Sequence, residues 1–119
     1  MKETIDNVVS TLVQALINSR IKELKIIDKT RSILKARLFF SEDIFIQIYV
    51  NIRKPKRSYT LVINDKRIFG KDYVFGTWHT HPFEDPLMYY GSEESRKSIT
   101  IEEFIEEATF ILSEKLGII

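Results

Sequence analysis

From Leu34 to Ile63 apolar and polar residues alternate with a period of two, interrupted by two short polar turns. Few folds accommodate that pattern. Successive side chains of a strand point to opposite faces, so strict alternation reads as half-buried strands rather than helix. Leu34, Ala36, Leu38 and Phe40 fall on one side, with Lys35, Arg37 and Phe39 on the other. Ser41-Glu42-Asp43 reads as a hairpin turn into a second strand. There Ile44, Ile46, Ile48, Val50 and Ile52 should face the core, leaving Phe45, Gln47, Tyr49, Asn51 and Arg53 opposite. Lys54-Pro55-Lys56-Arg57 forms the next predicted turn, followed by alternation at Tyr59, Leu61 and Ile63. Asn64-Asp65 turns the chain again toward residues 66–69. Residues 72–78 form the last predicted strand, and residues 22–29 an earlier one.

Two helices flank this region. Ile5, Val8, Val9, Leu12, Val13 and Leu16 recur every three or four residues after Thr4, a natural N-cap, and Asn18-Ser19 marks the stop. Thr100-Ile101-Glu102-Glu103 is a capping-box sequence, and Ile101, Phe104, Ile105, Ala108, Ile111 and Leu112 form the second stripe. Glutamates in its first two turns suit the positive end of the helix dipole, and Gly117 is a stop. Short turns between strands imply antiparallel pairing. The expected fold is therefore α+β: an N-terminal helix, a meandering antiparallel sheet of five to six strands and a C-terminal helix. Both helices should lie on one face, in a single domain over residues 1–119.

A chain of 119 residues can bury a modest core without staples, and it has no cysteine for disulfides or thiolate metal sites. No apolar run approaches the ~20 residues needed to span a bilayer. The opening MKETIDNVVS has no signal-peptide pattern, so a cytoplasmic protein without membrane contact is expected. Abundant Ile, Lys and Glu is a composition that hyperthermophiles favour. The near-neutral total hides segregated charge. Residues 20–71 carry fourteen Lys/Arg against five Asp/Glu, and residues 72–119 carry three against ten. Such asymmetry suits a basic surface for nucleic acid or an acidic partner, or two halves neutralising each other across a surface or a homodimer.

Chemistry concentrates in Gly76-Thr77-Trp78-His79-Thr80-His81-Pro82-Phe83-Glu84-Asp85-Pro86, which holds both histidines and the only tryptophan. Histidines two apart on a strand share a face, and Pro82 biases His81 toward extended backbone. In a continuous strand Tyr73, Phe75 and Thr77 would share that face, with Val74, Trp78 and Thr80 opposite.

Three readings of the run stand. The first is metal-independent acid–base chemistry on a phosphodiester. His79 and His81 divide the proton transfers, with Arg57, Arg67 and Lys71 near the phosphate. The sheet face away from the helices would add Lys35, Arg37 and Arg53 interleaved with Phe45 and Tyr49, a pattern suited to single-stranded RNA. The second is a non-catalytic protein whose histidines cap the sheet end, bonding to carbonyls and to acids such as Asp85. The third is a zinc site with ligands His79, His81 and Asp85. For that reading, GTWHTHP resembles the core of the JAMM (MPN) metalloproteases. That family adds an Asp eleven residues after the second His and a catalytic Glu from an early strand; position 92 here is Ser, followed by Glu93 and Glu94.

A longer ordered series supports a different resemblance. LKARLFFSEDIFIQIYVNI, then RSYTLVINDKRIFGKDY, then the Trp-His-x-His-Pro-Phe-Glu-Asp-Pro run and the closing amphipathic helix resemble the TumE-like family of small archaeal and bacterial proteins. The likeness spans about Ser32 to Leu112. That family is named for the toxin of a two-gene toxin–antitoxin pair. The resemblance implies a toxin-like function and a cognate antitoxin partner. Its matching positions are Tyr59, Arg67, Asp72, His79, His81, Pro82, Glu84, Asp85 and Pro86, with Trp78, Asp72, Glu84 and Asp85 supporting the histidines. Relatives often place another His after the final Pro, where this chain has Leu87-Met88-Tyr89-Tyr90.

Overall fold

Thr4 starts the first helix by accepting the Asn7 amide on its hydroxyl at 3.1 Å. In the computed structural model, which describes residues 3–81 and 97–119, this helix (α1, Ile5–Asn18) buries Ile5, Val8, Leu12 and Ala15. Six strands follow: β1 (Glu23–Lys29), β2 (Ile33–Ser41), β3 (Ile44–Asn51), β4 (Lys56–Ile63), β5 (Lys66–Val74) and β6 (Thr77–His81). The second helix (α2, Ile101–Phe110) begins with the expected capping box. Thr100 accepts from the Glu103 amide, and the Glu103 carboxylate accepts from the Thr100 amide at 2.8 Å. It ends in a π-helical turn over Ile111–Lys115, followed by Gly117 at φ +61°.

The strands pair antiparallel in sequence order, β1 to β6, as a meander. Directly paired residues of antiparallel strands lie on the same face. The pairs Leu38–Ile46, Ile46–Leu61 and Leu61–Phe69 therefore define one face, and Ala36–Ile48, Ile48–Tyr59 and Tyr59–Lys71 continue it. Both helices pack there. Phe104 of α2 stacks on Phe69 with ring centroids 5.3 Å apart and meets Tyr59 edge-on, while Leu12 and Val8 of α1 join the same buried cluster. No described helix is long and apolar enough to cross a membrane.

The strand expected over residues 72–78 is two strands. Phe75 and Gly76, at φ +54° and +75°, form a two-residue hairpin turn between Val74 and Thr77, which pair. The turn resets the alternation, so Tyr73 pairs with Trp78 on the helix side while His79 pairs with Asp72 on the other. Tyr73 and the histidines thus lie on opposite faces. The turn predicted over residues 54–57 also falls earlier, at residues 52–55. The Asn51 side chain closes it by accepting the amides of Arg53 at 3.1 Å and Lys54 at 3.0 Å. Lys56 and Arg57 consequently belong to β4, and Arg53 sits on the turn, not on the sheet face.

Candidate functional site

Register brings together side chains far apart in sequence. On the face away from the helices, one row across the sheet reads Lys35, Tyr49, Ser58, Asp72, His79. The next reads Lys25, Arg37, Gln47, Thr60, Gly70, His81. Both histidines therefore stand at the β6 edge of a surface whose interior carries cations, hydroxyls, one amide and an aromatic ring.

Asp72 is the centre of the edge. One carboxylate oxygen accepts from the Ser58 hydroxyl at 2.6 Å, and the other lies 3.1 Å from His81 Nε2. Arg67 Nη2 reaches both oxygens, at 3.3 and 3.4 Å. The His81 side chain is 17% exposed and that of Asp72 22%, so the pair is shielded yet reachable. An imidazole held by a carboxylate is fixed in tautomer and orientation. The order Ser58–Asp72–His81 places the carboxylate, not the imidazole, against the hydroxyl. Ser58 thus orients Asp72 and is not an activated nucleophile of the Ser–His–Asp kind.

Two backbone features make this possible. A bulge in β5 shifts the register between Leu61–Phe69 and Val62–Arg67, turning Arg67 onto the open face. Gly70 then leaves space for its guanidinium. A Cβ added at Gly70 would stand 2.5 Å from Arg67 Nη2 and 3.0 Å from its Nε. The Arg67 Nε is buried without a hydrogen-bond partner among the described residues, so the guanidinium is anchored through Nη2 alone.

Further along the face, Arg37 lies 4.7 Å from the centre of the Phe45 ring and donates from Nε to Gln47 at 3.2 Å. Phe45 in turn packs on Phe39, ring centroids 5.2 Å apart. Arg37, Lys35, Tyr49 and Phe45 occupy the face expected of them.

Arg57 and Lys71 do not join the histidines. Both lie in register with core residues, Arg57 opposite Val50 and Lys71 opposite Tyr59, so they point to the helix side. Arg57 pairs with Glu3 and donates to the Tyr59 hydroxyl at 3.0 Å. Burial pushes the Tyr59 phenol above its ordinary range, against the opposing pull of Arg57. Lys71 is only 7% exposed, and its Nζ donates to Thr80 Oγ1 at 2.8 Å. Trp78 is also on that side, 5.2 Å from Tyr73 and 6.0 Å from Tyr59 between ring centroids.

Glu84 and Asp85 lie outside the described residues, as do Pro82, Pro86, Glu93 and Glu94. Among the described residues no three His, Asp or Glu side chains converge to hold a metal ion. Ser58 and Gly70 are not among the site residues expected from the sequence. Gly70 carried a usable signal, since glycine inside a strand marks a bulge or a close approach. Ser58 carried none, because its role depends on the β4–β5 register. Comparison with protein-family models, curated proteins and solved structures returns no match.

Proposed function

We propose that this protein is the toxin-like component of a toxin–antitoxin pair and cleaves single-stranded RNA without a metal ion. The observation that carries the reading is the His81–Asp72–Arg67 group, set on the same sheet face as Lys35 and Arg37. Proton-transfer groups beside fixed cations are what phosphodiester transesterification needs.

In this reading Asp72 holds His81 protonated on Nε2, placing the basic lone pair on Nδ1. His81 removes the proton of a ribose 2′-OH, and the 2′-oxygen bonds to phosphorus. The phosphorus–O5′ bond breaks, and the leaving oxygen takes a proton from His79 in its imidazolium form. The products are a 2′,3′-cyclic phosphate and a 5′-OH, and Arg67 offsets charge on the equatorial oxygens. Lys35 and Arg37 bind flanking phosphates, and Tyr49 offers a ring for a base. The resemblance to TumE-like proteins supplies the toxin assignment and a cognate antitoxin, which would press an acidic or apolar segment on the basic face, and the absence of a signal-peptide pattern supports a cytoplasmic setting.

Growth of a heterologous host tests the proposal. The wild-type chain should arrest growth, and the His79→Ala/His81→Ala variant at matched soluble level should not. Equal growth with both would favour a binding protein in which the Asp72 network merely fastens β6 to β5.

A further inference from the structure

The sheet contains two hairpin turns with the same unusual backbone, filled in opposite ways. Between Ile63 and Lys66, Asn64 and Asp65 take φ +49° and +65°. Asn and Asp tolerate that region, and Asn at the first central position is a preferred solution. Between Val74 and Thr77 the first central position is Phe75, at φ +54°. A bulky side chain there is a steric outlier. Phe75 gains nothing from packing in return, being 97% exposed. A strained residue with a bare aromatic ring points to a contact made with something else.

The surroundings indicate what that is. The Phe75 turn leaves the sheet at the same end as the turns over residues 30–32 and 52–55, because β1–β2, β3–β4 and β5–β6 are all closed there. Those two turns contribute Arg31, Arg53 and Lys54 and no acid, and Lys56 follows at the start of β4. All four cations are exposed or half-buried, and none forms an ion pair among the described residues. The turns at the opposite end carry Glu42, Asp43 and Asp65 instead. With strands about 4.8 Å apart, the three cation-and-aromatic tips stand in a row at intervals of roughly 10 Å. Phe75 lies three residues beyond Asp72 along the chain, also about 10 Å from the histidine edge.

We infer that the Phe75 hairpin tip is a second nucleic-acid subsite. Phe75 stacks on a base of single-stranded RNA outside the cleaved bond, and Arg53, Lys54 and Lys56 hold the adjoining phosphates. The inference rests on the RNA reading above and adds a contact to it. Alternating cations and exposed rings bind single strands because every base presents a flat face and every linkage a charge. Strain at Phe75 is then retained because Asn, Asp or Gly would relax the turn but supply no ring.

The test uses a labelled 12-nucleotide oligouridylate in fluorescence anisotropy at low salt, UpU dinucleotide cleavage, and thermal melting. Phe75→Asn relaxes the turn, so its Tm should rise by roughly 2–6 °C while the 12-mer binds between about five- and a hundred-fold more weakly. Dinucleotide cleavage should be unchanged, and Phe75→Trp should retain 12-mer affinity. A wild-type chain that binds the 12-mer together with a Phe75→Asn variant that binds it equally well overturns the subsite and leaves the RNA reading standing. A wild-type chain that neither binds the 12-mer nor cleaves UpU overturns both. Weaker binding by Phe75→Trp as well as Phe75→Asn assigns the tip to shape rather than stacking, and also overturns the inference.

Discussion

The sheet has a regular half and an irregular half. Across β2, β3 and β4 the helix-facing side is buried along most of its length, Leu38, Ile46, Ile48 and Leu61 are fully enclosed, and the turn at Asn64-Asp65 uses favoured residues. Across β5 and β6 local rules fail repeatedly. A bulge interrupts the ladder, a glycine occupies mid-strand, a lysine is buried, and a phenylalanine sits at positive φ. All five residues of β6 are half-buried, neither core nor open surface. Such departures cost stability, and chains keep them where a site needs them. The regular half carries the fold, and the irregular half carries the proposed site.

Breaking that division should separate stability from activity. Leu38→Ala, at a position with no exposure, should lower unfolding free energy by about 2–5 kcal/mol in urea titrations. His79→Ala/His81→Ala should cost less than about 2 kcal/mol yet remove RNA cleavage by a factor on the order of 10² to 10⁴. Comparable losses of stability from both would erase the distinction. Gly70→Ala sharpens it further. The added methyl collides with the Arg67 guanidinium, so RNA cleavage should fall on the order of 10- to 100-fold with stability changed by less than ~1 kcal/mol.

The smallest effect belongs to the helical layer. Hydrogen bonds that the carboxylate accepts from the Thr100 backbone amide and from its hydroxyl hold the Glu103 carboxyl below its ordinary 4.5. The unfolded chain therefore binds the proton more readily. The capping contribution is complete above the unfolded-state value and is lost as pH falls through the lower folded-state value. The wild type should lose Tm relative to Glu103→Gln as pH drops below about 4.5, because Gln keeps the cap without titrating.

The sequence made the regular half legible. Period-two alternation, the Asn64-Asp65 turn, the Thr4 cap and the Thr100 capping box all locate elements that the structure contains. It also drew attention to the histidine edge, since two imidazoles near a Pro are conspicuous. The partners of those histidines were harder to read. Phe75-Gly76 lacks the Asn or Asp that announces a hairpin, so residues 72–78 read as one strand and the parity of every residue before the turn was misplaced relative to the histidines. Lys71 and Arg57, offered as phosphate-binding cations beside the histidines, both face the helices, because β4 begins at Lys56 and β5 runs through Lys71. Ser58 entered the site only through cross-strand register, which no local pattern encodes.

The proposed reaction at the β6 edge is RNA cleavage by two imidazole groups and Arg67, without a metal ion. It is tested most directly by incubating the purified wild-type chain and His79→Ala/His81→Ala with a 5′-labelled oligoribonucleotide in excess chelator, then analysing the product ends. Wild-type cleavage yielding 2′,3′-cyclic phosphate and 5′-OH ends is expected, with none from the variant. Cleavage that persists in the variant, or that requires an added metal, would contradict it.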